Sequence, residues 1–100
     1  MARYSCCVIR SFKDKRTRLV WEGNFSPRLP RGLQTVARRK LRMINNAQTL
    51  DDLRVPPANR LEKLKGDRRG QYSIRVSDRW RVCFSWRDGD ASDVEMVDYH

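Results

Sequence analysis

The chain holds one histidine, His100, which follows directly on Asp98 and Tyr99, and it is the only side chain whose ordinary pKa lies near neutrality. Cations gather upstream of it. Lys65, Arg68 and Arg69 crowd a turn bounded by Gly66 and Gly70, and Arg75 and Arg81 recur in the alternating stretch that follows. An RNA phosphodiester can be broken without a metal when a base takes the 2′-hydroxyl proton and an acid protonates the departing 5′-oxygen. Cations must then hold the charge that builds on the phosphorane between them. His100 suits the acid, since its own terminal carboxylate is expected to favour the imidazolium, and Lys65, Arg68, Arg75 and Arg81 are the available cations. Each residue also has a plainer reading. A terminal histidine is commonly only a chain end, Tyr99 can pack over a sheet edge, Asp98 can pair with an arginine, and Arg75 can simply be solvated.

The elements that must position these residues are legible in the alternation. Tyr72, Ile74 and Val76 fall on one face of a strand and, after a Ser77-Asp78-Arg79 turn, Trp80, Val82, Phe84 and Trp86 fall on one face of the next, which predicts a hairpin with an apolar side. Trp80 and Trp86 read as core rather than as base-stacking platforms. Arg75 and Arg81, with Ser73, Cys83 and Ser85 between them, take the opposite face, where Arg81 and Lys65 are expected to be exposed. Asp67 is expected to brace the turn between Gly66 and Gly70 rather than to act directly.

Before the hairpin, Cys6 to Phe12 reads as a short first strand. Ser11 with Asp14 resembles a capping box opening a helix that ends near Glu22, where Gly23 is a natural stop. A proline-marked loop, 24–30, leads into the clearest helix, in which Leu33, Val36, Ala37, Leu41 and Ile44 repeat at helical spacing as far as Asn45-Asn46. Arg38, Arg39 and Arg42 lie off that stripe, either as a solubilising face or as a contact surface. Thr49 and Asp52 suggest a short capped turn, Val55-Pro56-Pro57 an extended connection and 59–64 a strand. After the hairpin, Arg87-Asp88-Gly89-Asp90 is a turn and Val94 to Tyr99 the last strand. The order β-α-α-β-β-β-β predicts an α+β fold, a mainly antiparallel sheet with two N-terminal helices on one face.

Composition bounds the rest. At 100 residues, 39% hydrophobic and 34% charged, the sequence reads as one globular domain, 1–100. The absence of a signal-peptide core or a membrane-length apolar run predicts a cytoplasmic protein with no membrane contact. Cys6, Cys7 and Cys83 are too few and too poorly spaced for a disulfide framework or a zinc site, so free thiols, no metal and no cofactor are expected. Residues 1–50 hold 12 Lys and Arg against 2 Asp and Glu, whereas 51–100 hold 10 against 10, so the net charge of +10 lies wholly in the N-terminal half. Such asymmetry predicts an acidic partner, nucleic acid or protein.

L-K-G-D-R-R-G-Q-Y-S-I-R-V from Leu64, W-R-V-C-F-S-W from Trp80 and the final V-D-Y-H, with Val8-Ile9-Arg10-Ser11-Phe12 before them, resemble in order and spacing the HigB-like branch of the RelE/ParE toxins. The likeness covers nearly the whole chain. It implies the fold just described and a toxin–antitoxin toxin acting as a metal-independent endoribonuclease on mRNA in the ribosomal A site, thereby inhibiting translation. A helix-turn-helix, HigA-like antitoxin would neutralise it, and in this family antitoxins commonly pack on the helical side. The resemblance carries catalytic roles onto Asp98, Tyr99, His100, Lys65 and Arg81, with Arg68, Arg69 and Arg75 as RNA-binding residues. One departure matters: Glu62 stands where some members have a histidine three residues before the lysine, which excludes a two-histidine mechanism and leaves Glu62 as a base only if its pKa were raised. The alternatives are a non-enzymatic, ParE-like gyrase inhibitor and a degenerate module that only binds RNA or an antitoxin.

Overall fold

A computed structural model describes residues 9–98 other than 25, 28 and 69. Two helices, α1 (Lys15–Trp21) and α2 (Arg31–Asn46), precede four strands, β1 (Glu62–Lys63), β2 (Gln71–Arg75), β3 (Trp80–Arg87) and β4 (Asp90–Asp98). The strands form one antiparallel sheet in chain order, as expected of an α+β fold with N-terminal helices.

Ile74, Val82, Phe84, Val94 and Met96 are fully buried with Leu41 and Ile44 of α2 and Val20 of α1. This is the face the alternation assigned to the core. Trp80 and Trp86 pack against it while only partly buried.

Local chemistry sets the element ends. Asp14 is the cap of α1, accepting from Thr17 N at 2.9 Å. Ser11 is therefore not the cap: its hydroxyl accepts from Asp93 N at 2.9 Å and its carbonyl from Val94 N at 3.1 Å. These bonds lie at a bulge, where Cys83 pairs with Glu95 but Ser85 with Ser92 and where Asp93 takes φ 52°. Ile9 and Phe12 make isolated parallel bridges to Ala91 and Val94, so the described part of the expected first strand touches the β4 edge at two points. Cys6 and Cys7 lie outside the described residues. Helix α1 closes as foreseen: Gly23 (φ 87°) donates to Val20 O and Asn24 to Leu19 O, a Schellman turn.

The 59–64 segment departs from expectation, because only Glu62 and Lys63 pair with β2. Asn59 instead ends a 3-10 turn, fully buried, accepting from Lys40 Nζ at 2.6 Å and donating to Leu53 O at 3.2 Å. Burial, then the fields of Arg39 and Arg75, push the Lys40 pKa below the ordinary lysine value.

Candidate active site

The sheet face opposite the helices carries Glu62, Ser73, Cys83 and Glu95 as one cross-strand row, with Arg75, Arg81 and Val97 as the next. Sequence alternation puts Arg81 on this face and predicts that it is exposed, but Arg81 is only 9% exposed, and Ser73 and Cys83 are buried. Alternation reports which way a side chain leaves a strand, but not whether another segment covers that side. Here the segment entering β1 does so. Arg81 donates from Nε to Ser73 Oγ at 2.8 Å, from Nη2 to Ser73 O at 3.3 Å and from Nη2 to the carbonyl of Arg60, a residue in the left-handed region at φ 46°. The same Nη2 lies 3.8 Å from Glu62 Oε1, in a carboxylate that is 58% exposed.

One guanidinium thus ties three segments together and presents a charged edge beside an accessible carboxylate. Such a pair can hold a phosphate and place a proton acceptor next to it. Lys65 follows Glu62 by three residues and is exposed at the mouth of a loop that Leu64 N closes by donating to Gln71 O at 2.9 Å. The loop continues through the 3-10 turn Gly66–Arg68. The Arg68 side chain and all of Arg69 lie outside the described residues. Arg75 stands opposite Arg81 in the register, and Asp78 in the hairpin turn offsets the like charges by accepting from Arg75 Nη2.

Asp98 stands apart from this group. Its partner in the ladder is Trp80, so it leaves the sheet on the Val82 and Met96 side, away from Arg81. Its two oxygens accept from Arg79 Nη2 at 2.7 Å and Nε at 3.3 Å, which fastens the end of β4 to the β2–β3 turn. In the sequence Arg79 stands only as a turn residue, and the one signal of this pairing is that a three-residue turn brings it level with the last strand. Behind it, Arg16 lies 5.4 Å from the Trp80 ring centre and donates to Met96 O at 2.9 Å. Tyr99 and His100 lie outside the described residues.

Among the described residues no three His, Cys, Asp or Glu side chains gather as a metal-ligand set, and no helix is long and apolar enough to cross a membrane.

Residues 10–100 match the model of a family described as the RelE-like toxin of the type II toxin-antitoxin system HigB. "Toxin HigB-1" of Vibrio cholerae is 42% identical over 81 residues, 80% of this chain and 85% of that protein. "Endoribonuclease HigB" of Proteus vulgaris is 33% identical over 93 residues, covering 93% of this chain and all of the relative (100%). An uncharacterized Haemophilus influenzae protein is 35% identical over 74 residues, 74% of this chain and 73% of its own length.

Proposed function

The chain belongs to the family of RelE-like HigB toxins of type II toxin–antitoxin systems, with an antitoxin as partner and RNA as target, and from that premise we propose that it is a metal-independent endoribonuclease cutting mRNA in the ribosomal A site. A HigA-like helix-turn-helix antitoxin restrains it in the cytoplasm. The observation that carries this reading is the approach of Arg81 on β3 to within 3.8 Å of Glu62 on β1, the strand that leads into the Lys65 loop.

In the reaction, Arg81 and Lys65 hold the scissile phosphate and stabilise its added charge. The proton of the 2′-hydroxyl is assigned to Glu62, the exposed carboxylate beside Arg81, the role left open by the missing internal histidine. His100 protonates the 5′-oxygen, and Tyr99 is carried beside it as a further catalytic residue by the family likeness. Asp98, facing away from Arg81, serves by anchoring the strand from which Tyr99 and His100 continue. Arg68, Arg69 and Arg75 bind the flanking RNA backbone.

Single-turnover cleavage of a message on programmed ribosomes tests the reading, with the chemistry of the new ends as readout. A 2′,3′-cyclic phosphate or 3′-phosphate is expected. 3′-hydroxyl ends, or intact message in the presence of stable toxin, would overturn it and favour the gyrase-binding alternative.

A further inference from the structure

Helix α2 buries Ala37, Leu41 and Ile44 along one stripe, and Lys40 falls on that stripe at a spacing where an aliphatic side chain would serve. It is only 9% exposed, and its Nζ donates to Asn59 Oδ1 at 2.6 Å. Asn59 is wholly buried in turn. Its Nδ2 donates to Leu53 O at 3.2 Å and to Val55 O at 3.4 Å, and lies 3.7 Å from Met43 Sδ. Both ends of the amide are therefore committed, and the side chain has one orientation.

Burying an ammonium group is a costly way to stabilise a core, and a buried polar pair can often be exchanged for apolar side chains of the same shape with little loss. What apolar packing does not supply is a directional bond that fixes one residue of a loop. Asn59 is followed by Arg60, in the left-handed region at φ 46°, whose carbonyl accepts from Arg81 Nη2 on the sheet face opposite the helices. Two residues further on, Glu62 opens a strand that pairs with β2 at only two positions, Glu62 with Ser73 and Lys63 with Tyr72. So short a ladder holds the chain weakly by itself. The approach of Glu62 to Arg81 thus depends on where the chain stands as it leaves Asn59.

We propose that Lys40 and Asn59 are positioning residues for the cleavage reaction: the bond between them, made in the helical layer, sets the Arg60 carbonyl and through it the placement of Arg81 and Glu62 on the opposite face, an assignment that rests on the reading of those two as reacting groups. Neither residue touches the RNA. A misplacement of about 1 Å at reacting groups can slow a step by ~10²-fold, so loss of this bond acts on the rate of cleavage rather than on docking.

Lys40→Met removes the donor while keeping an unbranched side chain, and Lys40→Met/Asn59→Leu removes both polar groups while filling the space, so that a folded variant is at hand. Val20→Ala, a core truncation in α1, controls for stability alone. Single-turnover cleavage on programmed ribosomes is measured at saturating toxin and well below the melting of each variant, with ribosome affinity determined alongside. Both Lys40 variants should cleave about 10- to 100-fold more slowly at unchanged affinity, whereas Val20→Ala should keep the wild-type rate. Exchange of the Arg81 guanidinium protons, followed by NMR and slow while they are bonded to Ser73 and Arg60, should quicken in the Lys40 variants alone. Placed in Glu62→Gln, Lys40→Met should slow cleavage no further, because residues that act through one group are not additive. Wild-type rates from the Lys40 variants, slowing without faster Arg81 exchange, or a full further loss in the Glu62→Gln background would each overturn the assignment. A slow Glu62→Gln beside wild-type Lys40 variants removes the positioning role alone. Intact message with the wild type, or wild-type cleavage by Glu62→Gln, removes the reading of the site itself and the positioning role with it.

Discussion

Arg81 reaches diagonally across the β2–β3 ladder to donate to the Ser73 hydroxyl at 2.8 Å, because Ser73 itself pairs with Cys83. A candidate phosphate-binding cation is therefore also a structural clamp. Arg81→Ala leaves Ser73 Oγ and the Arg60 carbonyl without their donor in a nearly dry site, and a loss of about 1–3 kcal/mol in thermal or denaturant unfolding is expected. Arg81→Lys retains charge but not the fork, and should fall between. An Arg81→Ala protein that melts like wild type would show that the clamp contributes nothing.

Lys65 provides the contrast, being exposed on a loop. Lys65→Ala should melt within about 0.5 kcal/mol of wild type while cleavage on ribosomes slows by ~10²-fold or more, as for other stabilisers of transition-state charge. Phe84→Ala should behave in the opposite way. Phe84 is wholly buried, 6.3 Å from the Trp86 ring and 6.4 Å from that of Tyr72, and its loss should cost about 3–5 kcal/mol. Equal melting of the two variants would mean that the faces have been misassigned.

Much of this architecture is readable in the chain because period-2 alternation and turn chemistry act locally. The hairpin register, the Gly23 stop and the Arg87–Asp90 turn, with Asp88 at φ 53° and Gly89 at φ 83°, all follow from neighbouring residues. What escapes is decided by distant segments. Ser11 is drawn from the helix cap to the β4 bulge, and Asn59 is drawn from a strand to Lys40. Arg81 is buried by the chain at Arg60, twenty-one residues earlier. Arg79 gains its meaning from Asp98, nineteen residues on.

The Thr49–Asp52 cap, by contrast, is local and forms as the spacing predicts. Backbone bonds from Thr49 N and then Gln48 N hold the Asp52 carboxyl below its ordinary 3.8. A depressed folded pKa means that the unfolded chain binds the proton first as pH falls. The contribution is thus complete above about 3.8 and is lost as pH drops through the lower folded value. Asp52→Asn should flatten this part of the acid limb, so that the gap in melting temperature from wild type narrows below pH ~4. A gap that is constant with pH would show that the capping bonds do not depend on the carboxylate charge.

His100 distinguishes the proton-transfer reading from one in which binding alone accounts for toxicity. If it is the general acid, His100→Ala should slow single-turnover cleavage on programmed ribosomes by ~10²–10⁴-fold. His100→Gln should do the same, since an amide can hydrogen-bond but cannot deliver a proton near neutrality. Arg79→Ala supplies the control for mere displacement of the strand end, because it releases both bonds to Asp98 while leaving the imidazole in the chain. Raising the pH should slow wild type and Arg79→Ala as the imidazolium is lost, whereas the residual rate of His100→Gln should not follow that limb. Ribosome affinity is measured alongside, so that weak docking is not read as slow chemistry. Wild-type rates from a folded, ribosome-bound His100→Gln protein would remove the acid from His100 and pass the role to Tyr99 or to the ribosome itself.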